Sequence, residues 1–190
     1  ELEVDRSARH QKGSGLPLRI PVIEMVEIGA GGGSIARIDG MGRIAVGPTS
    51  AGAVPGPAAY DRGGTAPTVT DADLLLGRIS PARFAGGTVR LSTERARQAL
   101  ATLATGLGGD AVLAAVGVSE VVDEAMANAA RMHAVERGRT VADHSLVAFG
   151  GAAPLHACRV ARKLGIRRIV VPADAGVGSA IGFLRAPIAF

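Results

Sequence analysis

Thiols, indoles and lysines are nearly missing from this sequence, which has one cysteine, Cys158, no tryptophan, and two lysines, Lys12 and Lys163. A single cysteine excludes an intrachain disulfide framework and a thiolate zinc cluster. With no Gly-x4-Gly-Lys-Ser/Thr anywhere, a P-loop is excluded as well. Aromatic residues are only 3% of the chain, and the arginines are scattered from Arg6 to Arg185. The net charge of +4 therefore implies no nucleic-acid partner, which would need a basic groove with stacking rings. No run approaches the ~18 apolar residues that cross a bilayer, and no secretory leader pattern is visible, so no membrane role is expected and the default compartment is the cytoplasm.

What the chain does have is 190 residues, 47% of them hydrophobic, and 27 glycines. That is enough to bury roughly 70% of the unfolded surface without metal or disulfide staples. It starts at Glu1 and ends in the apolar stretch Ile181 to Phe190, which reads as a piece of a longer protein.

Two regions are expected. Residues 1–87 are rich in glycine and proline, with short apolar runs bounded by turn residues, as in a strand-and-loop region. Strands are predicted at Ile20 to Ile28, Ser34 to Ile38 and Ile44 to Val46, followed by a shaped, non-helical loop from Gly47 to Gly64. Residues 88–190 begin with helical spacing. Ala96, Ala99, Leu100, Leu103, Ala104 and Leu107 recur at three-and-four intervals after Ser92 and Thr93 and before Gly108, the pattern of a capped amphipathic helix. A second helix carries Val118, Val122, Ala125, Ala129 and Met132 to about Gly138, with Asp110 as cap and Gly117 as a possible break. The end reads as a parallel βαβ unit, with strand Leu146 to Phe149, helix Pro154 to Leu164, Gly165, and strand Ile166 to Val171, before a small-residue helix near Ser179.

Glycines gather at Gly29-Ala30-Gly31-Gly32-Gly33-Ser34 and at Phe149-Gly150-Gly151-Ala152-Ala153-Pro154. Either turn could admit an anion or nucleotide, because backbone without Cβ approaches a ligand closely and its N–H groups carry partial positive charge. Either could equally be a plain tight turn. A third candidate is Pro67-Thr68-Val69-Thr70-Asp71-Ala72-Asp73, where Asp71 could hold hydrated magnesium or orient a nucleophile, or could cap a one-turn helix. Gly176 to Gly182 resembles a dinucleotide loop, but its third glycine is one place late. Ser34 and Ser50 lack a nucleophile elbow, and His10, His133, His144 and His156 lack zinc spacing. His156 alone has an interesting address, in the first turn of a helix after a glycine pair. Cys158 is expected on that helix's packed face.

Four stretches together carry a resemblance. Ala30 to Ala36, then Val46-Gly47-Pro48-Thr49-Ser50-Ala51-Gly52-Ala53-Val54-Pro55-Gly56-Pro57, then Pro67 to Ala72, and finally Phe149-Gly150-Gly151-Ala152-Ala153-Pro154-Leu155-His156-Ala157 resemble, in order and spacing, the hydantoinase A/5-oxoprolinase family. The likeness runs from about Pro21 to Leu184. It departs from the family at Ala59, where cysteine is frequent, at Asp73, where asparagine is common, and at Ala153, where glycine is common. The two Asp-x-Gly-Gly-Thr phosphate loops of such proteins are not within this chain.

The resemblance implies an α/β fragment of an actin-like, ribonuclease H-like ATPase fold. It implies ATP and Mg2+ as cofactors, ATP-dependent opening of a cyclic amide such as 5-oxoproline or a hydantoin, or, in relatives, ATP-dependent ketone carboxylation. It also implies an oligomeric assembly with a hydantoinase B-like subunit or domain. On this resemblance Gly150, Gly151 and Ala152 contact adenosine. Gly31, Gly32, Gly33 and Ser34 lie toward the phosphates, with Thr70 and Asp71 as catalytic residues and Asp71 as metal ligand. The isolated segment is expected to be inactive. A rival reading is a non-catalytic binding or assembly module whose glycine turns only pack helices on a sheet.

Overall fold

The computed structural model describes residues 4–5, 22–23 and 25–187. Its strands pair locally. β1 (Val4–Asp5) and β2 (Val22–Ile23) are antiparallel. The run expected to continue to Ile28 is not strand from residue 25 onward, and Ile20, Pro21 and Glu24 lie outside the described residues.

The hairpin of β3 (Ser34–Ile38) and β4 (Ile44–Ser50) is antiparallel, with Ala36 opposite Val46 and Ile38 opposite Ile44. Its turn is built by Asp39, whose Oδ1 accepts the N–H groups of Met41 and Arg43, both at 2.9 Å. β4 extends four residues beyond the expected Val46. Gly47 to Ser50 belong to the strand rather than to the loop, because Ser50 pairs with Ser34 across a register irregularity. Gly47, at φ +69°, brings its backbone against the Gly29 carbonyl, a fit closed to any side chain.

α1 (Val69–Leu75) is a two-turn helix capped by Thr68 rather than by the Thr70-Asp71 pair. Thr68 Oγ1 accepts the Asp71 N–H, and the Asp71 carboxylate reaches back to the Thr68 N–H, a reciprocal capping box. α2 (Thr93–Leu107) starts on the Ser92 side chain, buries the expected stripe, and stops at Gly108 with φ 68°. α3 (Ala111–Glu136) starts on Asp110, whose Oδ1 accepts the Leu113 N–H at 2.8 Å. It runs unbroken through Gly117. One glycine costs a helix only about 1 kcal/mol, and this one makes room for the Ile44 side chain of β4.

β5 (Leu146–Val147) and β6 (Ile169–Val170) pair in parallel, joined by α4 (Ala153–Leu164), as the βαβ reading requires, although both strands are shorter than expected. Pro154 sits in the first turn of α4, and Gly165, at φ 70°, ends it. α5 (Gly178–Arg185) closes the described part. Cys158 on α4 is exposed, a correction to the packed position expected for it.

One core cluster takes Ala36 from β3, Val69 and Ala72 from α1, Leu100 and Leu103 from α2, and Val118 and Val122 from α3. Packing therefore joins residues from both sides of position 87 in one core. A second cluster joins Ala127 of α3 to Val160 and Leu164 of α4. Among the described residues no single helix is long and apolar enough to cross a membrane; α2 and α3 pass such a test only as a pair bent by 86°. Much of α2 and α3 faces the core just described.

Candidate functional site

The loop before β3 is pinned to the start of α1. Ser34 N–H donates to the Gly31 carbonyl and the Gly31 N–H donates to Ser34 Oγ, both at 2.9 Å, which closes a tight turn. The next carbonyl, of Gly32, accepts both the Thr70 N–H at 2.8 Å and the Thr70 hydroxyl at 2.9 Å. A Cβ on Gly32 would stand 2.9 Å from Thr70 Oγ1, so glycine is what lets these two motifs touch.

The second glycine turn leads from β5 into α4. Gly150, at φ 95°, donates its N–H to the Ala175 carbonyl at 2.7 Å. Gly151 has open space where a side chain would stand. The N–H groups of Gly32, Gly33 and Gly151 engage no partner among the described residues.

These turns meet at one cleft. A cavity of about 630 Å³ is lined by Gly32, Gly33 and Thr70 together with Gly151 and Ala152. That volume suits a nucleotide-sized ligand. Gly31, Ser34 and Gly150 support the turns from behind and do not line it.

Asp71 is placed differently from its expected role as catalytic group and metal ligand. Fully buried, it accepts the Ala59 N–H at Oδ1 (2.7 Å) and, at Oδ2, the N–H groups of Thr68 (2.8 Å) and Ala58 (3.3 Å) and the Thr68 hydroxyl (2.7 Å). Burial pushes its carboxyl above the usual range, opposed by these hydrogen bonds. Both oxygens are saturated and face the chain interior. Asp71 fastens the 3₁₀ turn Ala58–Tyr60 to α1, and it is not on the cleft wall. Among the described residues no group of three or more His, Cys, Asp or Glu is arranged to hold a metal ion, and the saturated, inward-facing Asp71 carboxylate has no oxygen free for Mg2+. Nucleotide fits better, because unengaged N–H groups and arginines face the cavity.

Sequence reasoning missed the ion-pair chain behind that wall. Asp73 of α1 contacts Arg78 Nη1 at 3.0 Å through Oδ1, and its Oδ2 lies 3.3 Å from His156 Nε2. The other ring nitrogen, Nδ1, is 2.7 Å from Asp123 Oδ1 on α3. Asp123 Oδ2 accepts from Arg159 Nε at 2.8 Å and from the Ser119 hydroxyl at 3.2 Å. Asp73, Asp123 and His156 are all buried. Burial alone would lower the His156 pKa, but the close contacts with Asp123 and Asp73 and the attraction of both carboxylates raise it to about 9. Burial pushes Asp123 upward, yet His156 and Arg159 outweigh it and hold its carboxyl below the ordinary value. The signal was present in the sequence: Ser119 and Asp123 stand at i and i+4 beside Val118 and Val122, a polar pair on a buried helix face.

The fold and the cleft define an α/β portion of an actin-like ATPase fold of the ribonuclease H-like type. The chain belongs to the hydantoinase/oxoprolinase family, whose model matches residues 1–190. It is 40% identical over 172 residues to caprolactamase subunit alpha of Pseudomonas jessenii, a match covering 90% of this chain and 25% of that protein. It is 44% identical over 141 residues to the acetophenone carboxylase gamma subunit of Aromatoleum aromaticum, covering 73% and 19%. Among solved structures it is similar to the ATP-dependent caprolactamase of Pseudomonas jessenii (TM-score 0.79, 40% identity, 87% of this chain and 24% of that one). It is also similar to nucleotide-free acetone carboxylase (TM-score 0.79, 33% identity, 87% and 24%). The chain thus spans about a quarter or less of the length of these relatives. The family includes ATP-dependent cyclic amide hydrolases and carboxylases, and these relatives are named as subunits of larger enzymes.

Proposed function

We propose that this chain is part of the nucleotide-binding wall of an ATP-dependent enzyme that opens a cyclic amide, working with a hydantoinase B-like subunit in the cytoplasm. One observation carries the reading. Gly32-Gly33 and Gly151-Ala152, over a hundred residues apart in sequence, share one cavity, with peptide N–H groups of three of these residues unengaged among the described residues.

ATP bound there would supply phosphoryl activation of the amide oxygen, which turns a resonance-stabilised lactam into a better electrophile. The chain's own residues bind and orient. Gly32 and Gly33 offer N–H groups to phosphate oxygens, Gly151 and Ala152 present backbone toward adenosine, and Thr70 locks the phosphate-side turn in place.

Ketone carboxylation is a second reading, favoured by the 44% identity to an acetophenone carboxylase subunit. Assay of the complete enzyme with its partner subunit separates the two. The first reading expects ATP hydrolysis stimulated by 5-oxoproline, a hydantoin or a larger lactam and reduced more than tenfold by Gly151→Val. Stimulation by a ketone with bicarbonate and not by any lactam would replace it with the second.

A further inference from the structure

Arg78 has no part in the nucleotide contacts above, yet it lines the same cavity. It stands just beyond α1 with its side chain 19% exposed, and among the described residues its polar contacts, with Asp73 and His156, are made through Nη1 alone. Among the described residues Asp73 is the one carboxylate on the cavity wall, and it already divides its two oxygens between Arg78 and His156.

Behind it the chain Arg78–Asp73–His156–Asp123–Arg159 sets three cations against two carboxylates. Following the pairs outward does not remove the surplus. Arg159 and Lys163 contact Glu120, while Lys163 and Arg131 contact Glu124. With His156 protonated below about pH 9, the extended network among the described residues holds five cations and four carboxylates, which leaves one positive charge over. Arg83, also on the cavity wall, adds to it. In a partly desolvated cleft such a charge is worth far more than at an open surface. A guanidinium held at one nitrogen still offers a planar fork to a carboxylate or phosphate.

Arg78 is held by Asp73, whose Oδ1 lies 3.0 Å from its Nη1. The same Nη1 lies 3.4 Å from His156 Nδ1, the nitrogen that is 2.7 Å from Asp123 Oδ1. Two cations are thus held side by side by the carboxylates that flank them.

We propose that Arg78 is an anion-recognising residue of the cleft, held in place by the Asp73–His156–Asp123–Arg159 chain and meeting a phosphate or carboxylate group that enters beside Gly32, Gly33 and Thr70. The proposal rests on the nucleotide reading only for which anion arrives. His156 is faced by Asp73 and Arg78 from the α1 side and by Asp123 from α3, whose other oxygen is held by Ser119 and by Arg159 of the His156 helix. Tyr60, on the cavity wall, is pushed by burial above its ordinary value of 10 and does not titrate first.

The test is calorimetric titration of the 190-residue chain with tripolyphosphate, with citrate and with adenosine separately. Arg78→Ala is expected to weaken tripolyphosphate or citrate at least tenfold and to leave adenosine unchanged, with Arg78→Lys restoring part of the loss. Which of the two anions shows the effect tells phosphate from carboxylate. If neither anion's affinity depends on Arg78, the proposal is wrong. Arg78-dependent anion binding without any adenosine binding would sink the nucleotide reading while leaving Arg78 in its role. For the positioning chain the probe is sulfate, whose charge is constant over the range. Its affinity is expected to fall as pH rises through about 9, and this fall should vanish in His156→Gln, with folding checked by circular dichroism. A flat profile in the unaltered chain removes His156 from the account.

Discussion

The imidazole of His156 on α4 lies 3.3 Å from the carboxylate of Asp73 on α1, and both side chains are buried. One residue sits five places after Gly151, the other three places after Thr70. The pair therefore ties together the two chain segments that carry the glycine turns lining the cavity, with His156 fully buried and Asp73 at the cavity wall.

That tie has a pH signature. The folded His156 pKa is raised to about 9 against an ordinary 6.5, so its stabilisation is fully present below about pH 6.5 and is lost as pH rises through 9. The Asp123 value is lowered from 3.8, so its share is present above that value and lost on further acidification. Melting temperature is expected to decline between pH 6.5 and 9.5 in the unaltered chain and to lose that decline in His156→Gln. The substitution itself is expected to cost about 3–5 kcal/mol, since it leaves buried carboxylates short of a partner.

Asp71 separates a structural role from a catalytic one. Asp71→Asn turns an amide nitrogen toward N–H donors and is expected to cost about 1–3 kcal/mol of stability, read by urea denaturation. ATP affinity per folded molecule should stay within twofold, because the carboxylate is not on the cavity wall. A variant of normal stability with lost ATP binding would restore Asp71 to the site.

Gly117 tests the fit of the hairpin on α3. A side chain there meets the end of Ile44 on β4, so Gly117→Val is expected to lose about 1–3 kcal/mol through overpacking. Gly151→Val, which enters open space, should leave the urea midpoint within error.

Much of this was legible from residue pattern. The stripe from Ala96 to Leu107, the caps Ser92 and Asp110, and the Pro154 and Gly165 bounds of α4 follow from local chemistry, and local chemistry decided them. The four motifs also named the family, and two of the glycine turns do share a cavity. What sequence could not supply was pairing at a distance. The continuation of β4 to Ser50 depends on Ser34 as partner, and helical continuity at Gly117 on Ile44 filling the gap. The engagement of Asp71 depends on Ala58 and Ala59, twelve or more residues away. The Asp73–His156–Asp123 chain joins three helices, and only the misplaced polarity of Ser119 and Asp123 hinted at it.

Amide chemical shifts of the 190-residue chain during titration with ATP and magnesium test the central claim most directly. Gly32, Gly33, Gly151 and Ala152 are expected to move together with a single dissociation constant, and Gly151→Val to abolish the response while the fold persists. Movement of one glycine turn without the other, or unchanged binding in Gly151→Val, would contradict a shared nucleotide cleft.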